Sequence, residues 1–137
     1  MSVQATMSRL KGRLNDLAEE KIEERLEDLA DYATRISPVD TGAYVTSFSI
    51  KRAGSGGGRS RSSENKPRNQ NPETKRAEAY GQLVTDIQAL NISDMIENGN
   101  VRITLRNRSP HARDVEDGSN WRSSGYHVFS RIRRKFG

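Results

Sequence analysis

The chain has 137 residues, a net charge of +5 and no cysteine. This length suits a single domain spanning residues 1–137, and the lack of cysteine excludes disulfides, thiolate metal sites and thiol nucleophiles. Leu, Ile, Val and Phe supply 26 of the 137 residues, so we expect a small core that gains stability from neighbouring subunits. No apolar run has the length of a signal peptide or membrane span, which predicts a soluble protein in the cytoplasm of the cell that makes it.

A long amphipathic helix is predicted from Ser8 to Ile36. Its apolar positions follow one another mostly at spacings of three and four, which predicts one face turned toward the core; they are Leu10, Leu14, Leu17, Ile22, Leu26, Leu29, Ala33 and Ile36. The rest of the helix is rich in charged residues and is either a solvated face or a surface for a neighbouring subunit. Pro38 is predicted to end the helix, because proline disfavours helical geometry in the residue before it.

The stretch ISPVDTGAYVTSFSI, residues 36–50, combines turn residues with an alternating pattern. Asp40 and Thr41 can bond the nearby backbone, and Gly42 can adopt the positive φ that a reversal needs. Residues 44–50 then alternate between large apolar or threonine side chains and Val or Ser. Period two predicts a strand from Tyr44 to Ile50 with its aromatic face inward.

Residues 53–72, AGSGGGRSRSSENKPRNQNP, contain no large apolar side chain. Such a segment cannot bury enough surface to offset the entropy of ordering, so a flexible loop insertion is predicted. Its net charge is +3, from four basic residues and Glu64; the basic residues are Arg59, Arg61, Lys66 and Arg68. A long basic loop is a candidate contact for nucleic acid or for an acidic protein surface.

A second helix is predicted from just after Pro72 to about Leu90, with its stripe on Ala77, Tyr80, Val84 and Ile87 and with Leu83 and Leu90 beside the stripe. Met95 and Ile96, the turn signal Asn98-Gly99 and the alternating residues from Val101 to Leu105 then predict a hairpin-like strand unit.

Two short helices are predicted near the C-terminus. One runs from His111 to Glu116 and ends at Gly118. The other has Val128, Ile132 and Phe136 on one stripe and is otherwise basic; its basic residues are Arg131, Arg133, Arg134 and Lys135. Residues 122–137 have a net charge of +5 and the loop at 53–72 has +3, so the rest of the chain carries −3.

The sequence contains no recognisable catalytic pattern. HARDVEDG, residues 111–118, matches neither a calcium loop nor a zinc-protease helix, and SGGG lacks the flanking elements of a P-loop. No nucleophile elbow or carboxylate pair is present. We therefore expect no enzyme, no metal and no cofactor. Because basic side chains neutralise phosphates, a DNA-binding accessory protein that uses the loop and the closing helix remains an alternative.

The order of three segments resembles the tail-completion, or head-tail joining, family of tailed bacteriophages. The segments are the charged helix leading into ISPVDTG, the helix RAEAYGQLVTDIQAL followed by a strand, and VRITLRNRSPHARDVEDGSNW followed by a closing helix. The matching motif residues are Pro38, Val39, Asp40, Thr41, Gly42, Asn107, Pro110, Ala112, Val115, Glu116 and Gly118. The chain departs from the family pattern at His111, where an aromatic is usual, and at Asp117.

The resemblance implies an α+β subunit, with a long N-terminal helix and shorter helices packed on a small antiparallel sheet and a long flexible basic loop. It also implies a structural virion protein without catalysis, which forms a ring, expected to be a hexamer, at the neck or upper tail. Its partners would be itself, the connector or adaptor, tail proteins and packaged DNA, with no membrane. The loop and the closing helix would contact these components.

Overall fold

The computed structural model describes residues 3–39, 41–59, 69–110, 112–118 and 125–136, with side chains from residue 16 onward. Within these ranges the predicted α+β class is confirmed. The elements are helix α1 (Val3–Ile36), a short 3₁₀ helix (Val45–Ser47), strand β1 (Phe48–Arg52), helices α2 (Pro72–Gln88) and α3 (Ile92–Glu97), strand β2 (Ile103–Asn107), and helices α4 (Ala112–Asp117) and α5 (Val128–Phe136).

The two strands pair antiparallel, with Phe48 opposite Asn107 and Arg52 opposite Ile103. Helix α2 packs on β1 and on the 3₁₀ helix, while α1 packs on α2, α3 and α5. The core lies between these layers, and its largest fully buried side chains include Phe48, Ile50 and Leu83. A two-stranded sheet is marginal alone, so the helices around it supply most of the apolar burial.

The strand predicted from Tyr44 to Ile50 begins later, at Phe48. A 3₁₀ helix precedes it because the hydroxyls of Thr46 and Ser47 donate back to the carbonyls of Gly42 and Ala43, at 2.6 and 2.5 Å. These bonds let polar side chains be buried in a tight helical turn. All residues from 42 to 50 are buried, so the predicted division into an aromatic inner face and an outer face was wrong.

The hairpin predicted around Asn98-Gly99 was also wrong. Met95 and Ile96 belong to α3, and Gly99, with φ +69°, donates its N–H to the Ile96 carbonyl as the helix ends. A glycine at positive φ after a helix is a common C-terminal cap, and it carries the same sequence signal as a hairpin turn. Strand β2 therefore pairs with the distant β1, and Val101 lies outside it and is 42% exposed.

Helix α2 begins at Pro72 as predicted, but its buried stripe differs from the predicted one. Asn71 caps the helix by accepting the N–H of Thr74 at 3.2 Å. The buried positions are Ala79, Leu83 and Ile87, whereas Ala77 is exposed and Tyr80 and Val84 are half-buried. Ile87 of the predicted stripe is therefore buried, as are Leu83 and Leu90 beside it, and the buried face includes Ala79 in place of Ala77.

Helix α1 carries two apolar runs with the same spacing, and the prediction of one continuous face was wrong. The first run is Val3, Met7, Leu10, Leu14 and Leu17, and the second run is Ile22, Leu26, Leu29, Ala33 and Ile36. The step of five residues between Leu17 and Ile22 rotates the second run by about 100° from the first. Leu17 is accordingly 58% exposed, while the second run belongs to the core or packs against it.

The two C-terminal helices confirm their predictions where they are described. α4 ends before Gly118, and α5 buries Val128 and Ile132. Phe136 packs edge-to-face on Tyr32 of α1, with ring centroids 5.8 Å apart. His111 lies outside the described residues.

Candidate functional site: a buried junction and a basic surface

The end of α1 is fixed by two polar contacts. Ser37, which is fully buried, donates its hydroxyl to the Ala33 carbonyl at 2.6 Å. Arg76 of α2 donates to the Ser37 carbonyl at 2.8 Å, so a cation satisfies a carbonyl that the helix leaves free. Pro38 and Val39 follow and are half-buried, and Asp40 lies outside the described residues.

Gly42 adopts the positive φ that its place in the turn predicts, at +85°. A Cβ built on it would lie 2.7 Å from the Lys75 side chain, so both the backbone angle and the neighbouring lysine favour glycine. Thr41 accepts the Ala43 N–H through its hydroxyl at 3.2 Å. The residues Thr41 and Gly42 therefore build the corner that leads from α1 into the core.

Asn107, at the end of β2, connects this corner to the sheet. Its side-chain amide donates to the Tyr44 carbonyl at 2.8 Å and its amide oxygen accepts the Ser109 N–H at 3.0 Å. Both halves of one amide group are thus used, which ties two segments that are distant in the sequence. Pro110 follows and is exposed.

Glu116, on α4, caps α5. Its carboxylate accepts the N–H of Phe129 at 2.8 Å, and both the N–H and the hydroxyl of Ser130 at 3.1 Å. A carboxylate at this position satisfies free N–H groups and complements the positive end of the helix dipole. Gly118, with φ +89°, closes α4 by donating its N–H to the Asp114 carbonyl at 2.9 Å.

Tyr44 lies where these segments meet. Its side chain is only 6% exposed and contacts Phe48 edge-to-face, with ring centroids 5.3 Å apart. Among the described residues its hydroxyl has no hydrogen-bond partner. Burial, and then the negative charge of Glu116, raise the pKa of the Tyr44 phenol above its ordinary value of 10.0. We call the set Gly42, Tyr44, Asn107 and Glu116 the buried junction.

Arg59 has an internal role at the edge of β1. Its guanidinium forms a two-pronged ion pair with Asp86 of α2, at 2.6 and 2.7 Å, and also donates to the Phe48 carbonyl at 3.1 Å. The two side chains are only 27% and 14% exposed. Asp86 also accepts the Ile50 N–H at 3.0 Å, so this pair covers the strand edge that β2 leaves free.

Sequence reasoning missed Asp86, although a signal existed. It lies three residues after Leu83 and directly before Ile87, on the side of α2 that approaches the core. A carboxylate there requires a cationic partner, and the basic loop that precedes α2 contains several candidates.

The remaining predicted basic contacts divide into two groups. On α5, Arg133, Arg134 and Lys135 are exposed and Arg131 is half-buried. Lys135 also places its ammonium 4.5 Å from the centroid of the Tyr32 ring, which holds it against α1. The loop residues Arg61, Lys66 and Arg68 lie outside the described residues. We call the exposed side of α5 the basic surface.

The buried junction uses its polar groups for capping and turn formation. In the described part of the chain, no three His, Asp or Glu side chains are grouped as metal ligands would be. The same part contains no helix long and apolar enough to span a bilayer.

Comparisons of the chain with protein family models, with curated proteins and with solved structures gave no match.

Proposed function

We propose that this chain is a structural virion protein of a tailed bacteriophage, which forms a ring at the neck or upper tail and joins the tail to the head connector. The observation that carries the proposal is the buried junction. Three short motifs resemble those of the tail-completion family, and each contributes to it: Gly42 forms the corner, Asn107 holds the Tyr44 carbonyl, and Glu116 caps α5. Motifs that are individually weak gain weight when they meet at one place.

The shape of the subunit also supports a role in assembly. The core is small, and α1 extends about 50 Å at 1.5 Å per residue. Among the described side chains of α1, those that belong to the core or pack against it lie between Ile22 and Ile36, whereas Leu17 is exposed. A subunit with a small core and an exposed leucine on a long helix can gain stability from neighbours. A hexameric ring, with the connector or adaptor and tail proteins above and below, supplies such neighbours.

Depletion of the chain during phage infection tests this function. We expect DNA-filled heads and finished tails to accumulate separately, because the missing ring leaves no surface between them. Electron microscopy would count joined and unjoined particles, and expression of the intact chain in trans would restore joining. Normal joining in the absence of the chain would contradict the proposal.

A deletion in the basic loop tests the contact role of that segment. Removing residues 60–68 keeps Arg59 and its ion pair with Asp86, so the folded subunit is retained. If the loop contacts a neighbouring component, the deleted chain would fail to join heads to tails although its circular dichroism is unchanged. Full infectivity of this variant would refute a contact role for the loop.

A DNA-binding accessory protein is the second candidate function, and the basic surface of α5 favours it. Arg133 and Arg134 are both exposed, so their guanidinium groups are accessible to phosphates. This function predicts DNA retention that weakens steeply with salt and is reduced in the double variant Arg133→Gln, Arg134→Gln. The absence of retention even at low salt would remove this candidate and leave the ring protein.

A further inference from the structure

The first apolar run of α1 has the spacing of a helix–helix seam. Val3, Met7, Leu10, Leu14 and Leu17 follow at intervals of four, three, four and three residues. This is the spacing of the two core positions of a heptad repeat. Two successive heptads place these five positions on one side of the helix.

The structure shows what the same spacing does elsewhere in α1. The second run repeats the intervals four, three, four and three, and its members belong to the core or pack against it. The helices that pack against α1 are α2, α3 and α5. The second run has the same spacing and packs against helices. We therefore expect the first run to pack against a helix as well.

Leu17, the described end of the first run, is left exposed by its own subunit. Leu17 is 58% exposed, the largest exposure among the large hydrophobic side chains with described surroundings. The first run is rotated by about 100° from the second, so Leu17 does not lie on the face that the second run presents to the core.

Charges beside the seam decide the orientation of the partner helix. Lys11 and Arg13 occupy the two positions that flank the seam. In an antiparallel pair of identical helices that keeps the leucines in contact, position 13 lies across from position 13 and position 11 from position 11, which sets like charges together. In a parallel pair, position 13 lies across from Ala18 and position 11 from Thr6. Only the parallel arrangement avoids the repulsion.

We propose that residues 3–17 of α1 form a self-association surface that packs in parallel, and in register, against the same segment of a second copy of this chain. The seam consists of the first apolar run. Parallel helices are related by an axis that runs along them, so the contact is compatible with a closed ring as well as with a pair. The proposal does not depend on a role in a virion.

Sedimentation equilibrium of the full chain and of Leu17→Asp tests the surface. We expect the intact chain to self-associate and the variant to do so with a dissociation constant raised about tenfold or more, because a carboxylate replaces an apolar side chain in the seam. The matched control is Gln88→Asp, an equally acidic change at an exposed position of α2, which should associate as the intact chain does. A monomeric intact chain, or equal association of Leu17→Asp and the intact chain, would overturn the proposal.

Cysteine cross-linking tests the orientation, since the chain has no native cysteine. In the parallel seam, Leu17→Cys lies beside its own counterpart, so mild oxidation should join two copies of this single variant. In the antiparallel arrangement position 17 lies beside position 7, so an efficient disulfide would form only between Leu17→Cys and Met7→Cys. Cross-linking of the mixed pair in preference to Leu17→Cys alone would overturn the parallel seam, even if sedimentation had shown association.

Discussion

The two runs of α1 share the same apolar spacing but differ in their surroundings. Ala33, in the second run, is fully buried, whereas Leu17, in the first, is 58% exposed. The apolar spacing therefore predicts a surface suited to packing against a helix. It does not show whether that helix belongs to the same subunit. One five-residue step separates the two runs and rotates the first by about 100° from the second.

The largest expected effect comes from placing the same charge in each run. Ala33→Glu buries a carboxylate at a fully buried position and should cost about 4 kcal/mol or more, enough to unfold a marginal domain. Leu17→Glu should change the free energy of unfolding of the monomer by at most about 0.5 kcal/mol. Urea unfolding of dilute protein, followed by circular dichroism, would measure both. Equal destabilisation by the two substitutions would mean that Ala33 and Leu17 are buried to the same extent within the subunit.

A smaller effect is expected at the corner that anchors the second run. Gly42→Ala should cost about 2 kcal/mol, because alanine is strained at φ +85° and its Cβ would press on Lys75. Gly54→Ala is the matched control, since its φ is +87° and nothing lies within 4 Å of the added Cβ. Its cost should be limited to the backbone strain of about 1 kcal/mol. If the two variants lost the same stability, the contact with Lys75 would have no energetic weight.

The cap on α5 should contribute about 1 kcal/mol. Glu116→Gln removes the charge that faces the start of α5, the helix that packs Phe136 on Tyr32 of α1. We expect faster hydrogen exchange at the Phe129 and Ser130 amides while β1 keeps its protection. Glu97→Gln, at an exposed position, should leave both regions unchanged, and unchanged exchange in Glu116→Gln would contradict the capping role.

The smallest effect at neutral pH is expected at Tyr44. Its buried hydroxyl has no partner among the described residues, so Tyr44→Phe should keep or raise stability by about 0.5 kcal/mol. The pH dependence provides a clearer signal. Because the pKa of Tyr44 is raised in the folded state, its contribution to stability is fully present below pH 10 and is lost as pH rises above that value.

Comparison of the pH profiles isolates this group. The intact chain should lose stability more steeply than Tyr44→Phe above pH 10. Parallel profiles for the intact chain and Tyr44→Phe would show that the phenol is solvated and that the buried junction is more open than described.

Local signals predicted much of this fold. Pro72 marked the start of α2, Gly42 the positive φ, and the four-residue spacing of Val128 and Ile132 the buried side of α5. Each depends on a residue's own backbone preference or on a short period. The break in α1 was also visible, as the step from Leu17 to Ile22.

Other features depended on tertiary contacts and could not be predicted. The hydroxyls of Thr46 and Ser47 find carbonyl acceptors in a 3₁₀ turn, which overrides the alternating pattern of a strand. The glycine after Asn98 could end a helix or turn a hairpin, and only the pairing of β2 with β1 decides between them. For Arg59, predicted as a partner contact, the ion pair with Asp86 required the position of α2.

Imaging the chain within the phage particle tests the central claim most directly. A density label would be fused to the N-terminus of the chain, ahead of α1, and purified virions would be examined by electron microscopy with averaging. We expect a ring of label density at the junction of head and tail, with sixfold symmetry. Particles without the label, or with the label elsewhere in the virion, would contradict it.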